Sequence, residues 1–345
     1  MPVYWDLYPS RDGSGTPGAP CVHIGLVNNM PNGALQATER QFFNLISAAA
    51  DDIDVRLSIY ALPEVPRNES SRRYIDASYF DFEKLWESHL DALIVTGTEP
   101  LAASLAQEPY WGSLTRVLEW AEQNTYSSIW SCLAAHAAVL YLDGIGRRRL
   151  RDKRCGIFEC EPAADHALTA DAPSPLRVPH SRWNDLSESD LVPCGYRILT
   201  RARDGVDSFV RQRKSLFVFF QGHLEYEANT LLLEYRRDIG RYLRGERDTY
   251  PLMPESYFDR DTTDVLAAQR ERAMRDRSAE LIGEFPTALA EKNLAPVRRP
   301  AAVSVYRSWL TYLCAQKERF EGTQSRKEAA RETGITADRY FAAAD

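Results

Sequence analysis

No apolar run in these 345 residues approaches the ~20 needed to cross a bilayer, so no membrane-spanning helix is expected. The first residues lack a basic stretch followed by an apolar one, so no secretory leader is expected and the cytoplasm is the expected compartment. Positive charge is not in excess. Lys and Arg number 42 against 49 Asp and Glu, a net charge of −7, which argues against broad nucleic-acid binding. Cysteine is sparse: six residues at irregular spacing read as reduced thiols rather than a disulfide framework. Close metal-ligand spacing is also missing. Cys155 and Cys160 with His166 give C-x4-C-x5-H, wider than the usual zinc spacing and without an evident fourth ligand, so no metal is expected. No internal repeat or low-complexity tract occurs.

What is present is an α/β alternation. Val22 to Val27, Val55 to Tyr60 and Ala92 to Thr96 read as strands, and the last is apolar throughout, as in a parallel sheet buried on both faces. Thr38-Glu-Arg-Gln41 has the form of a capping box opening a helix with Phe42, Phe43, Leu45, Ile46 and Ala49 on its buried side. Residues 62–79 are polar and turn-rich and read as a loop. Pro109 to Asn124 reads as an amphipathic helix. The order predicts a doubly wound, mostly parallel sheet with ligands at the strand carboxyl ends. Arg147 to Arg213 reads as a β-rich elaboration of shorter strands. Helices are expected over Thr230–Arg244, Thr262–Lys292 and Ala301–Gln316. The chain therefore divides into an arm over 1–20, a main domain over 21–316 and a polar tail over 317–345.

Two places carry chemistry. At Cys132 a short apolar strand turns into a small-residue helix, whose positive end favours negative charge on sulfur. The amide of Leu133 can point at an oxyanion formed on whatever that sulfur attacks. A second apolar run, Ser215 to Phe220, ends in Gln221-Gly-His-Leu-Glu225 and delivers His223 and Glu225. Cysteine, histidine and carboxylate at strand ends suggest nucleophilic catalysis. Singly, each has an ordinary reading, a buried thiol or a surface His-x-Glu pair; the joint context outweighs it.

Several stretches in order resemble the homoserine O-acyltransferases of methionine biosynthesis, which have a class I glutamine-amidotransferase-like fold. They are Leu26-Val-Asn-Asn-Met-Pro31, Leu93-Ile-Val-Thr-Gly97, Tyr110-Trp111 with Val117-Leu-Glu-Trp120, Pro179-His-Ser-Arg182, Gly222-His-Leu-Glu-Tyr226 and Glu234-Tyr-Arg-Arg-Asp238. The resemblance covers roughly residues 20 to 315. It implies Cys132 as acyl carrier, His223 as base and Glu225 as its partner, with oxyanion donors at Leu133 and at Gly97 or Thr98. It further implies Lys153 at the acyl substrate, Ser181 as another substrate-binding residue and Arg237 at the amino acid. No bound cofactor is implied; acyl-coenzyme A is a co-substrate, and the basic run around Lys153 reads equally as a coenzyme A contact or a solvated face. Partners are then small molecules, and the oligomeric state, a homodimer included, stays open.

Three positions depart from the family pattern. Leu224 stands between His223 and Glu225 where proline is common, and His136 replaces a glutamine four residues after the nucleophile, which makes it a conceivable rival base. In the loop after the central strand, direct alignment puts Leu101 at the residue linked to acyl choice, small for succinyl and glutamate for acetyl. Glu99 is the equivalent if the alignment shifts. Succinyl is favoured over acetyl, and homoserine or serine is left open as acceptor. A glutaminase is disfavoured because Cys132-Leu-Ala-Ala-His136 lacks the expected glycine and glutamine, and a non-catalytic binding protein is the remaining alternative.

Overall fold

Strands that are apolar on both faces can only lie inside a sheet covered twice. The computed structural model describes residues 3–5, 21–292, 294 and 299–332. Its first part alternates strand and helix: β1 (Val3–Trp5), β2 (Cys21–Val27), α1 (Leu35–Ala49), β3 (Asp54–Tyr60), α2 (Glu69–Ser78), β4 (Ala92–Val95), α3 (Trp111–Asn124), β5 (Ser127–Ser131) and α4 (Leu133–Asp143). Then follow β6 (Arg148–Pro162), β7 (Leu176–Asp185), the short α5 (Glu188–Leu191), β8 (Arg197–Ala202), β9 (Gly205–Gln212) and β10 (Leu216–Phe220). Helices α6 (Thr230–Leu243), α7 (Arg260–Arg275), α8 (Thr287–Lys292) and α9 (Arg299–Glu332) complete the chain.

The strands form one sheet of order β1-β3-β2-β4-β5-β10-β9-β8-β6-β7. It is parallel from β1 to β10 and antiparallel from β10 to β7, so β10 is the seam. One face packs on α1 and α9 through Phe42, Leu45, Ile46, Trp309 and Leu313. The other packs on α3 and α4 through Leu114, Val117, Leu118 and Val139. A third cluster joins α6 to α7 through Leu231, Tyr235, Ile239 and Leu266. The architecture is thus α/β and doubly wound. Among the described residues no helix is long and apolar enough to cross a membrane.

Register places the site. Ser131 of β5 pairs with Phe220 of β10, and Trp130 pairs with Val95 of β4. The residues that follow these pairs, Cys132, His223 and Gly97, therefore leave the sheet at one edge.

Several expectations need correction. The Thr38–Gln41 box caps nothing: α1 starts at Leu35, because the Thr38 amide already donates to Ala34 O at 2.9 Å inside the first turn. Gln41 instead donates to Thr230 Oγ1 at 2.8 Å. The loop expected over 62–79 contains α2, capped by Asn68 accepting from Ser71 N at 2.9 Å. That helix exposes most of its surface, and is held by Tyr74, next to it Tyr79, donating to Glu39. In the middle segment the strands are long, not short: β6 has 15 residues and β7 has 10. The helix expected over 262–292 breaks after Arg275 into a 3-10 turn at Ala279–Glu284 and then α8. Val3–Trp5 of the expected arm adds β1 to the sheet edge, and α9 runs past 316 to Glu332. The rest of the arm and residues 333–345 of the tail lie outside the described residues.

Candidate active site

The turn from β5 into α4 is made at Cys132, with φ 52° and ψ −112°. A positive φ is costly for a residue with a Cβ, and such strain is characteristic of a nucleophile elbow between strand and helix. Its backbone is anchored by the amide donating to Phe220 O at 2.7 Å. Leu133 is the first residue of α4, and its amide is one of those a helix leaves without an internal acceptor. Gly97 presses on that amide: a Cβ there would lie 2.8 Å from Leu133 Cβ and 3.0 Å from Leu133 N. Cys132, Leu133, Gly97 and Thr98 all line one cavity of about 1090 Å³.

His223 enters the same cavity just past β10, its amide donating to Pro179 O at 2.8 Å. Its Nδ1 lies 2.8 Å from Glu225 Oε1, and the ring stacks on Tyr226 with centroids 4.2 Å apart. Cys132 lines the same cavity and lies within electrostatic reach of the ring. With Nδ1 taken by Glu225, Nε2 is the nitrogen left for sulfur. Burial opposes charge on this histidine, but Glu225 and then Cys132 outweigh it and hold the imidazolium well above its usual range. Cysteine, imidazole and carboxylate are thus brought together.

His136 has a different position. It is buried, and its Nε2 lies 2.9 Å from Gln221 Oε1, an oxygen that also accepts from Arg182 Nη1 at 3.0 Å and Leu186 N at 2.9 Å. The imidazole must therefore donate from Nε2, and burial, helped by Arg182, pushes its pKa down to about 4. It packs the base of the site and tethers α4 to the end of β10.

Cys155 and Cys160 do not join His166. They stand in different apolar clusters, and His166 Nδ1 accepts from Leu168 N at 3.2 Å. Among the described residues one other grouping, Cys160, His180 and Asp207, brings its possible ligand atoms within 4.8 Å of one another. Arg182 Nε donates to His180 Nδ1 at 3.2 Å, which leaves the ring proton on Nε2 facing Asp207. Burial holds the Cys160 thiol far above its usual range.

The charged wall of the cavity belongs to β6, β7 and α6. Lys153 Nζ donates to Asp238 Oδ2 at 3.0 Å and lies 3.6 Å from Glu234 Oε2. Ser181 Oγ donates to Glu234, whose other oxygen accepts from Tyr226 Oη at 2.5 Å. Arg237 donates from Nε and Nη2 to Asp238 Oδ1 at 3.0 and 2.9 Å. Glu99 lines the cavity and is clasped by both Arg241 nitrogens at 2.9 Å, a contact that holds its carboxyl below the usual range. Leu101 is not part of the wall: it is 70% exposed, with its amide bound to Glu108 Oε1 at 2.8 Å. Glu234, Asp238, Tyr226, Arg241 and Gln221 carry no role in the sequence reading. The signal for most of them was available, since Glu234, Arg237, Asp238 and Arg241 follow the i, i+3, i+4, i+7 spacing of one helix face.

The model of the family described as "HTS: Homoserine O-succinyltransferase" matches residues 15–320. The chain is 50% identical over 296 residues to a homoserine O-succinyltransferase of Rhodopseudomonas palustris, covering 86% of this chain and 89% of that one. A homoserine O-succinyltransferase of Bradyrhizobium japonicum is 46% identical, covering 84% and 89%, and one of Methylorubrum extorquens 47%, covering 84% and 86%. Among solved structures, a glutamine amidotransferase from Methylobacillus flagellatus is similar at a TM-score of 0.46 and 14% identity, covering 86% of this chain and 96% of that one.

Proposed function

The chain belongs to the homoserine O-succinyltransferase family, and we propose that it moves a succinyl group from succinyl-coenzyme A to the hydroxyl of homoserine through a thioester on Cys132, a step of methionine biosynthesis. The observation that carries this reading is the gathering of Cys132, His223 and Glu225 in one cavity at the mouth of α4, with His223 Nδ1 2.8 Å from Glu225 Oε1.

Cys132 sulfur attacks the thioester carbon, and the oxyanion faces the amides of Leu133 and of Gly97 or Thr98. Collapse breaks the bond to the coenzyme A sulfur, which takes the proton held by His223. The homoserine hydroxyl then attacks the acyl-enzyme while His223 accepts its proton, and collapse returns the Cys132 thiolate. Glu225 orients the imidazole and offsets its charge. Homoserine brings a carboxylate and an ammonium, and α6 presents both complements. Arg237 keeps 43% of its side chain exposed beside Asp238, with Glu234 one turn away. Lys153 and Ser181 hold Glu234 and so shape this wall. Glu99, neutralised by Arg241, presents no free charge against a second carboxylate, which favours succinyl over acetyl.

Incubation with succinyl-coenzyme A followed by intact mass measurement tests the reading. One succinyl adduct is expected, lost on adding homoserine and absent from Cys132→Ala. An adduct that persists in Cys132→Ala would overturn it.

A further inference from the structure

The donor's distal carboxylate needs a cation, and the charged wall has few to spare. Lys153, Arg237 and Arg247 converge on Asp238, Arg241 is spent on Glu99, and Arg182 on Asp185. Two cavity-lining cations have no ion pair among the described residues, Arg147 and Arg149. Arg149 lies over the Trp183 ring, 4.3 Å from its centroid, and is exposed. Arg147 is half-buried in the turn between α4 and β6, and lies within electrostatic reach of both Cys132 and His136.

We infer that Arg147 is the residue that selects a dicarboxylic acyl group, by receiving the distal carboxylate of the succinyl chain while its carbonyl carbon is on Cys132. This rests on the acyl-transfer reading above and deepens it. A succinyl group places two methylenes between thioester carbon and carboxylate, so its cation must stand back from the sulfur rather than touch it. Arg147 lines the same cavity as Cys132 from the turn after α4, and a guanidinium takes a carboxylate in a two-pronged fork. Two neighbouring groups within its electrostatic reach, Glu108 and Tyr110, each keep a buried oxygen without a hydrogen bond, Glu108 Oε2 and Tyr110 Oη. Burial lowers the pKa of the guanidinium, and these two groups oppose that shift in part. An acetyl group has nothing for this cation to hold.

The test compares kcat/KM for succinyl- and acetyl-coenzyme A, with homoserine saturating, in the wild-type protein, Arg147→Gln and Arg147→Lys. The succinyl-to-acetyl ratio is expected to fall on the order of 10- to 100-fold in Arg147→Gln, with Arg147→Lys between the two. A ratio that holds while both donors weaken means that Arg147 serves the coenzyme A portion or the fold, and overturns the inference. So does a ratio unchanged in both variants. If Arg147→Gln does not fold, Arg147→Lys alone decides, since it keeps the charge but loses the fork; an unchanged ratio there also overturns the inference. Failure of the underlying reading shows separately, as a wild-type protein that forms no Cys132 adduct with either donor.

Discussion

His223 is buried, yet its neighbours favour its charged form, and the balance between those effects governs how the site responds to pH. Its pKa is raised on folding above the ordinary ~6.5, so its pairing with Glu225 contributes stability that is complete below that value. The contribution is lost as pH rises through the raised folded value. Glu225→Gln removes the larger of the two charges that raise it, so the His223 midpoint, followed by NMR, should move down. The alkaline loss of stability should become shallower in the same variant; an unmoved midpoint would show that Glu225 does not set the charge. The two histidines of the site should also part company. His223→Asn should cost on the order of 10²-fold or more in kcat. His136→Gln keeps a donor for Gln221 Oε1 and should be tolerated, because His136 acts as a tether. That Cys132, His223 and Glu225 gather at one edge of the sheet was legible because each follows a strand end. Arg147 was not, because in sequence it is one arginine in a basic run, and only the pairing of its neighbours sets it apart.

Elements position Gly97 and Leu133, the proposed oxyanion donors. Gly97 after β4 abuts the start of α4, and a methyl group there meets backbone and Cβ rather than a flexible side-chain end. Gly97→Ala should therefore push the loop off Leu133 and lower kcat by about 10²-fold, as loss of one oxyanion donor does elsewhere. Gly112→Ala, in α3 with nothing within 4 Å of the added carbon, should leave kcat alone and serves as the control. Apolar periodicity revealed β4, β5, α3 and β10, whose buried faces are continuous. It missed α2, whose stabilising contacts are polar: an asparagine cap and two tyrosine hydroxyls on Glu39. It also misplaced the start of α1, because Thr38 and Gln41 imitate a cap while Gln41 serves a contact 189 residues away. Such contacts leave no local pattern to read.

Across the whole molecule, α9 closes one face of the sheet and reaches past the boundary expected at 316. Trp309 Nε1 donates to Ser127 Oγ at 2.9 Å, fastening the helix to β5, the strand that leads into Cys132. Lys317 Nζ bonds Cys21 O at 2.8 Å and Asp91 Oδ2 at 2.9 Å, tying it to the amino ends of β2 and β4. Cutting the chain after Gln316 should then lower stability by about 1–2 kcal/mol in chemical denaturation. A truncated protein as stable as the full chain would return residues 317–332 to the status of a polar tail. The seam at β10 has a consequence of another kind. Cys132 N bonds Phe220 O, and Phe220 pairs with Ser131, so Cys132 and His223 both hang from the last rung of one ladder. A slip of one residue between β5 and β10 would carry the imidazole ~3.3 Å along the strand and turn it to the opposite face. Acylation competence is therefore a gauge of strand register. In a refolded sample, titrating Cys132 with donor counts the molecules whose sheet closed in the right frame, including against misaligned ones with the same strand content.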